Sequence, residues 1–582
     1  MAIVSRSGRR WYPGPDFGPE THPTITRLRQ STWVGIAAWR ADGIAGLLIA
    51  LALALAWLHW LLPPGFIGGT SPYWQTDVGD TAEHLSGFNA FFSEPWAWPL
   101  LRISGLNAPD GTLATFVDIV PLYASLLKLV VPGDRFPFNP FGWWIGLCYL
   151  LQAVGAWWLV REARLPRYSA LIALIGFSLV TPVLLSRTVF GHESLASQWL
   201  ILFALALYLR GGRSGRLALA AWTVLLFGAF YVHLYLFVMI GLVFAADAAR
   251  FGARLGWRRT LGRALLPPAL ILGSLPLTMW PIPHAAAAEG FGFFSMNLLA
   301  PVLGGGRVTG WMTGHHEWTF PGGQYEGYNY LGAGVLSLLG VGVALRLRHD
   351  PRFFGRHGML VAMLTLASLY AVSNRVYLGH RLVLEWSVPP FLEWSFGTFR
   401  ASGRFFWPVG YALVVFAVLT SARWLRPRVA GCLLALALAL QWVDLQPLYG
   451  MARPVLERPA SRILDSALWD AALGRGVHTI YLHPKFGCGR TPNAHGVILA
   501  AQRYAAERRL RLSTGHLPRY RPPCDAGPRE IAASDPTTSA YVFPHGEASA
   551  HEAADLFPRG ARLQCRELDI AVLCRWLVGP PD

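Results

Sequence analysis

The sequence predicts an all-α polytopic membrane protein with about eleven transmembrane helices, one re-entrant segment and a small C-terminal α/β domain. Three observations predict it. Of 582 residues, 53% are hydrophobic and only 14% charged, against about 25% charged in soluble domains, and mean hydropathy is +0.36. Apolar runs of bilayer length recur along the chain. Arginines gather in alternate loops between those runs. The 25 tryptophans fit a chain with two membrane–water interfaces, where an indole can keep one end apolar and the other wet. Because the net charge of +17 resides in the arginine loops, it reads as membrane topology and argues against a nucleic-acid partner.

Residues 1–40 are rich in Pro, Gly and Arg. They lack a secretory signal, since the first apolar run begins near Ile44 and no small-residue cleavage site follows. They read as a disordered cytoplasmic tail, with Arg27, Arg29 and Arg40 near the anionic leaflet.

Residues 41–446 read as the transmembrane domain. A spanning helix needs about 20 apolar residues. The runs that qualify are 44–62, 140–160, 168–186, 194–210, 217–232, 233–249, 264–283, 330–346, 358–374, 404–421 and 429–446. The pair 217–232 and 233–249 requires a tight turn at Tyr231-Val232-His233, and one long tilted helix is the alternative. Loops of one parity carry Arg161, Arg164 and Arg167; Arg210, Arg213 and Arg216; Arg250, Arg254, Arg258, Arg259 and Arg263; Arg346, Arg348, Arg352 and Arg356; and Arg423, Arg426 and Arg428. Positive charge marks cytoplasmic loops, and this alternation holds only if 116–132 does not cross. That segment is short, and Asp118, Pro121 and Lys128 interrupt it. It reads as re-entrant or interfacial, packed against protein.

An odd number of spans puts residues 447–582 on the periplasmic or extracellular side of a cell inner membrane. This domain reads as α/β, with strands at Val477–Leu482 and Ala540–Phe543 and helical spacing from Val497 to Leu510. Four of the six cysteines lie here, an even number suited to disulfides in an exported domain. Cys565 and Cys574 flank an apparent hairpin, which favours the pairings 565–574 and 488–524 among the three connectivities that four cysteines allow. A binding, lid or supporting role fits this domain.

Candidate chemistry lies in the external loops. Asp77, Asp80, Glu83 and His84 fall within eight residues just after the first span. On a helix, Asp77, Asp80 and His84 would share a face, as a general base or as ligands of a divalent cation. The loop 187–193 holds Arg187, suited to a phosphate, with His192 and Glu193 as reaction-centre candidates. Arg400 and Arg404, four apart, present guanidinium forks that also suit a phosphate. The loop 284–330 adds Ser295-Met-Asn297, Gly314-His315-His316-Glu317 and Tyr325-Glu326-Gly327 as substrate-contact candidates, and His233 and Tyr235 lie at the tight turn.

The order of these motifs resembles the GT-C superfamily of polytopic membrane glycosyltransferases, nearest to a bacterial YfhO-like branch. The likeness covers roughly residues 44–446. It rests on acidic residues after span one, the Asp118–Lys128 segment, Gly191-His192-Glu193, and Ser295-Met-Asn297 followed by Tyr325-Glu326-Gly327. The resemblance implies transfer of a sugar from a polyprenyl-phosphate carrier on the non-cytoplasmic face. It implies Asp77 or Asp80 as base, and Arg187, Arg400 or Arg404 as partners of the leaving phosphate. The family's Asp-x-Asp form is replaced by Asp77-x-x-Asp80. The competing expectations are a transporter or flippase of a cell-envelope precursor, which favours midplane charges and repeats, and a non-catalytic assembly protein.

Overall fold

The computed structural model describes residues 40–282, 290–304, 322–517, 520, 522–547, 557 and 563–576. Except for Arg40, the expected N-terminal tail lies outside these residues, as do His315, His316 and Glu317. The membrane-domain helices are α1 (Ile44–Leu61), α2 (Asp80–Ser93), α3 (Pro121–Val130), α4 (Phe141–Glu162), α5 (Tyr168–Leu179), α6 (Pro182–Val189), α7 (Trp199–Ser214), α8 (Leu219–Val232), α9 (Leu234–Leu255), α10 (Trp257–Ala264), α11 (Leu266–Thr278), α12 (Ala333–His349), α13 (Gly358–Val372), α14 (Pro390–Thr398), α15 (Trp407–Trp424) and α16 (Pro427–Leu456).

Among the described residues, seven stretches are long and apolar enough to cross a bilayer: Ile44–Leu61, Phe141–Glu162, Glu193–Ser214, Leu234–Leu255, Trp257–Thr278, Ser402–Trp424 and Pro427–Leu456. Helices α5 and α6, bent by 42° at their break, make an eighth if they form one span. The three other expected spans are helices of 14, 17 and 15 residues, α8, α12 and α13. At 1.5 Å per residue they reach only about 21–26 Å, short of a hydrocarbon core of about 30 Å. Length and composition therefore support seven or eight spans, not eleven.

Residues 217–249 form a hairpin. Trp222 Nε1 of α8 donates to Asp247 Oδ2 of α9 at 2.9 Å, whereas one continuous helix would hold residues 25 apart by about 37 Å. His233 makes the turn. Its backbone is extended, and its Nδ1 accepts the Tyr235 N–H at 3.1 Å, capping α9. The segment 116–132 contains only the ten-residue α3, too short to cross. Leu126, Leu129 and Val130 of α3 are exposed, while Lys128 reaches back to donate to the Phe91 carbonyl at 2.6 Å. Where α12 begins, its first amides would otherwise lack partners. Asp444 of α16 accepts from Ala333 N at 2.9 Å and Gln441 from Val335 N at 3.2 Å, which is why these polar side chains are buried in an apolar helix.

Beyond α16 the chain forms a sheet-containing domain with helices α17 (Ser466–Leu473), α18 (Pro492–Glu507) and α19 (Ala526–Ala532). In chain order, the short hairpins of the membrane domain supply β1 (Arg102–Ile103), β2 (Thr112–Leu113), β3 (Arg375–Leu378) and β4 (Arg381–Glu385). The terminal domain supplies β5 (Thr479–Leu482), β6 (Arg511–Leu512), β7 (Ser539–Pro544), β8 (Leu563–Glu567) and β9 (Ala571–Trp576). The terminal sheet runs β6-β5-β7-β9-β8, with β5 parallel to β6 and β7 and the other pairs antiparallel. Buried and half-buried residues alternate along β5, and β7 is buried throughout, as a central strand covered on both faces must be. Both expected disulfides are present. Cys565 and Cys574 are directly opposed on β8 and β9, and Cys488 is bonded to Cys524.

This domain is fastened to the first long loop. Leu106 bridges Leu512 in parallel and so covers the free edge of β6, and Thr76 bridges Ser461. Arg503 of α18 donates to the Trp74 carbonyl at 3.0 Å, and Gln502 donates to Ser86 of α2 at 2.8 Å.

Candidate functional site

The ionisable residues of the loops opposite the arginine clusters meet at one end of the bundle. Helices α7, α9 and α15 begin there, shortly after Glu193, His233 and Arg404, and end among Arg213, Arg254 and Arg423. Each crosses the full bundle, so the site and the arginine loops lie at opposite ends.

Asp80 is the first residue of α2, after Gly79, whose φ of 77° suits a residue without a Cβ. His84, one turn on, lies on the same face. Asp77 precedes the helix instead of joining that face. Its Oδ2 accepts from Ile463 N at 3.1 Å and Leu464 N at 3.3 Å, with Arg462 at 3.7 Å and Arg503 at 3.8 Å. Asp77 therefore anchors the C-terminal domain. Burial raises its pKa, and the two arginines and two amides offset this only in part.

Asp80 Oδ2 accepts from His192 Nε2 at 2.9 Å, and its side chain is 39% exposed. Burial works against its charge. The hydrogen bond and charge of His192, with His84 and His516, outweigh it and hold the carboxyl below the usual carboxylate range. His192 Nε2 also lies 3.8 Å from Glu326 Oε1. Glu326 is gripped by two guanidiniums: Arg187 places its two terminal nitrogens on the two oxygens at 3.3 and 2.8 Å, and Arg404 Nε reaches Oε2 at 2.8 Å. Despite burial, these two cations hold Glu326 well below the ordinary range. Arg187 keeps a buried Nε–H without a partner among the described residues, and Arg404 lies over the Tyr235 ring at 5.1 Å.

A second arm runs through His84. Its Nδ1 faces the fully buried Glu193 carboxylate in a short contact, and its Nε2 lies 3.7 Å from Asp118 Oδ2. Burial favours the neutral imidazole; Glu193, then Asp118 and Glu83, outweigh it and push the pKa up to about 10. His233 Nε2 stands 3.8 Å from the other Asp118 oxygen. Burial resists the charge of Asp118 too, but His233, His84 and His192 lower its pKa. Asp118, Val120 and His192 all have left-handed backbones, with φ of 48°, 56° and 78°. Such strain persists only where surrounding contacts over-determine it, and it clusters at functional sites.

Glu83 faces the C-terminal domain, 2.5 Å from His516 Nδ1. Tyr325 is exposed, with Phe294 edge-on at 6.1 Å, and the half-buried Arg400 lies over the same Phe294 ring at 5.2 Å. The structure thus joins Asp80, His84, His192, Glu193, Arg187, Glu326 and Arg404 and leaves Asp77 outside. The sequence marks Asp118 as an interruption in an apolar run and as the start of the Asp118–Lys128 segment, but not as a site residue. It gives no sign of His495 and His516, which the C-terminal domain brings within electrostatic reach of Asp80. His84, Asp118 and His192 offer ligand atoms within 4.8 Å of one another and could hold a metal ion.

Two family models match the chain. Domain of unknown function DUF6311 covers residues 51–446, and the DUF6311 C-terminal domain covers residues 468–575. No curated protein and no solved structure matches it.

Proposed function

We propose that this chain, which belongs to the DUF6311 family, is a GT-C-like glycosyltransferase that moves a sugar from a polyprenyl-phosphate carrier to an acceptor hydroxyl. In this reading the three shorter helices cross with the other eight. The arginine loops are cytoplasmic, and the site and C-terminal domain lie on the periplasmic side of the inner membrane.

One observation carries the reading: a solvent-reaching carboxylate, Asp80, is linked through His192 to Glu326 and its two guanidiniums. Asp80 accepts the proton of the acceptor hydroxyl, and His192 orients it. The acceptor oxygen bonds to the anomeric carbon as the bond from that carbon to the phosphate oxygen breaks. The electron pair leaves with the phosphate. Arg187 and Arg404 share one glutamate, so the group retains one positive charge to meet it. The exposed apolar side of α3 and exposed Phe391 and Trp394 of α14 suit a site that takes one substrate from lipid.

The test is transfer of labelled sugar from polyprenyl phosphate in proteoliposomes. Wild type and Asp77→Asn should transfer, and Asp80→Asn should lose about 100-fold or more. Full activity in Asp80→Asn would remove the base. Absence of transfer from every carrier would leave the transporter and assembly readings.

A further inference from the structure

From the same end of the bundle we infer a site for one divalent first-row transition-metal ion, zinc by the chemistry of its donors, held by His84, Asp118 and His192. The inference does not depend on glycosyl transfer.

Four observations carry it. First, the three side chains come from three separate elements, α2, the 117–120 loop and the 190–193 turn, and their ligand atoms converge within 4.8 Å. Zinc takes nitrogen and carboxylate oxygen at about 2.0–2.2 Å, so tetrahedral ligands stand about 3.3–3.5 Å apart. The His84 Nε2 to Asp118 Oδ2 separation of 3.7 Å is close to that and long for a hydrogen bond.

Second, His84 is oriented as a metal-bound histidine is. A carboxylate only accepts, so Glu193 takes the Nδ1–H, and an ion that displaces the second ring proton meets the Nε2 lone pair on the side of Asp118. This is the carboxylate–histidine–metal arrangement, and both members are buried, with side chains 3% and 0% exposed. Third, His233 has the opposite arrangement. Its Nδ1 accepts the Tyr235 amide, so its proton sits on Nε2 and it supports Asp118 without serving as a ligand. Fourth, with the imidazoles neutral, Glu193, Asp118 and Asp80 bring together three negative charges, against the one net positive charge that Arg187 and Arg404 keep after pairing with Glu326. A divalent cation offsets two of them. Three protein ligands leave a fourth position, and the part-exposed Asp118 and His192 set it toward solvent, as in catalytic rather than structural sites.

The experiment is metal binding by the full chain in detergent, purified without a polyhistidine tag, stripped with a chelator, reloaded with zinc or cobalt and desalted. Wild type should retain about one zinc per chain by elemental analysis, and cobalt should give visible bands of a nitrogen- and oxygen-ligated ion. His84→Gln and His192→Gln should abolish stoichiometric binding. Glu193→Gln, which alters only the orienting partner, should weaken it about 10–100-fold. His233→Gln and Asp77→Asn should keep one ion. If His84→Gln does not fold, His192→Gln, whose side chain is part-exposed, carries the test on monodisperse protein. No stoichiometric metal in wild type, or unchanged binding in His192→Gln, overturns the site and shows a proton between His84 and the carboxylates instead.

Discussion

The two ends of the bundle handle charge differently. At the arginine end, Arg167 donates to the Leu425 carbonyl at 3.1 Å and Arg213 pairs with Glu162 at 2.7 Å, and Arg250 donates to the Tyr208 carbonyl at 2.9 Å. These cations finish helix ends, where Lys and Arg favour C-terminal carbonyls, and Arg250 also pairs with the buried Asp247 of its own helix. At the other end, carboxylates, histidines and arginines are paired with one another across loops distant in sequence. The arginine end carries topology. The opposite end keeps buried charges that stability alone does not require, since a buried ion pair is often no better than an apolar packing.

The sharpest way to break this contrast is Glu326→Gln. It leaves Arg187 and Arg404 with a poorer partner in a buried place and should destabilise by about 3–5 kcal/mol, whereas Arg356→Ala at the other end, where Arg346 still pairs with Asp350, should cost about 1 kcal/mol or less. Thermal unfolding in detergent checks both, and equal losses would erase the distinction. A smaller effect is expected at Asp77. Asp77→Ala strands the amides of Ile463 and Leu464 and should cost about 1–3 kcal/mol, read as faster hydrogen exchange in α18. Asp77→Asn keeps an accepting oxygen and should be mild. The smallest effect belongs to His357 at the arginine end. Burial, then repulsion from Arg250, Arg356 and Arg346, holds its pKa down to about 4, against an ordinary 6.5. Between pH 6.5 and 4 the unfolded chain takes up a proton that the folded one does not. Stability present above pH 6.5 is therefore lost as pH falls through that window. Comparing melting at pH 7 and pH 5 should show a drop that His357→Gln reduces.

Much of this contrast can be read from composition and spacing. The apolar runs match helices because an apolar stretch in lipid must satisfy its own backbone. The four cysteines and the alternating strand 477–482 foretold the terminal domain. Span number was less legible, because hydropathy reports composition and not where a helix is broken. The break between α5 and α6 falls at Thr181-Pro182, and α8 stops after 14 residues at His233. Asp77 misled because spacing assumed one helix, whereas Gly79 starts α2 only at Asp80. Asp118 and His516 enter the site through tertiary contacts with no local signature.

Helix α16 runs unbroken for 30 residues, about 45 Å, well beyond a hydrocarbon core of about 30 Å. Within a few residues of its end, Ser461 is hydrogen-bonded to both Gln75 and Asp77. The long helix thus acts as an indexed shaft that sets the rotational phase of the C-terminal domain. Adding one residue between 447 and 456 would turn that domain by about 100° and carry His495 and His516 away from Asp80, with no side chain of the candidate site altered.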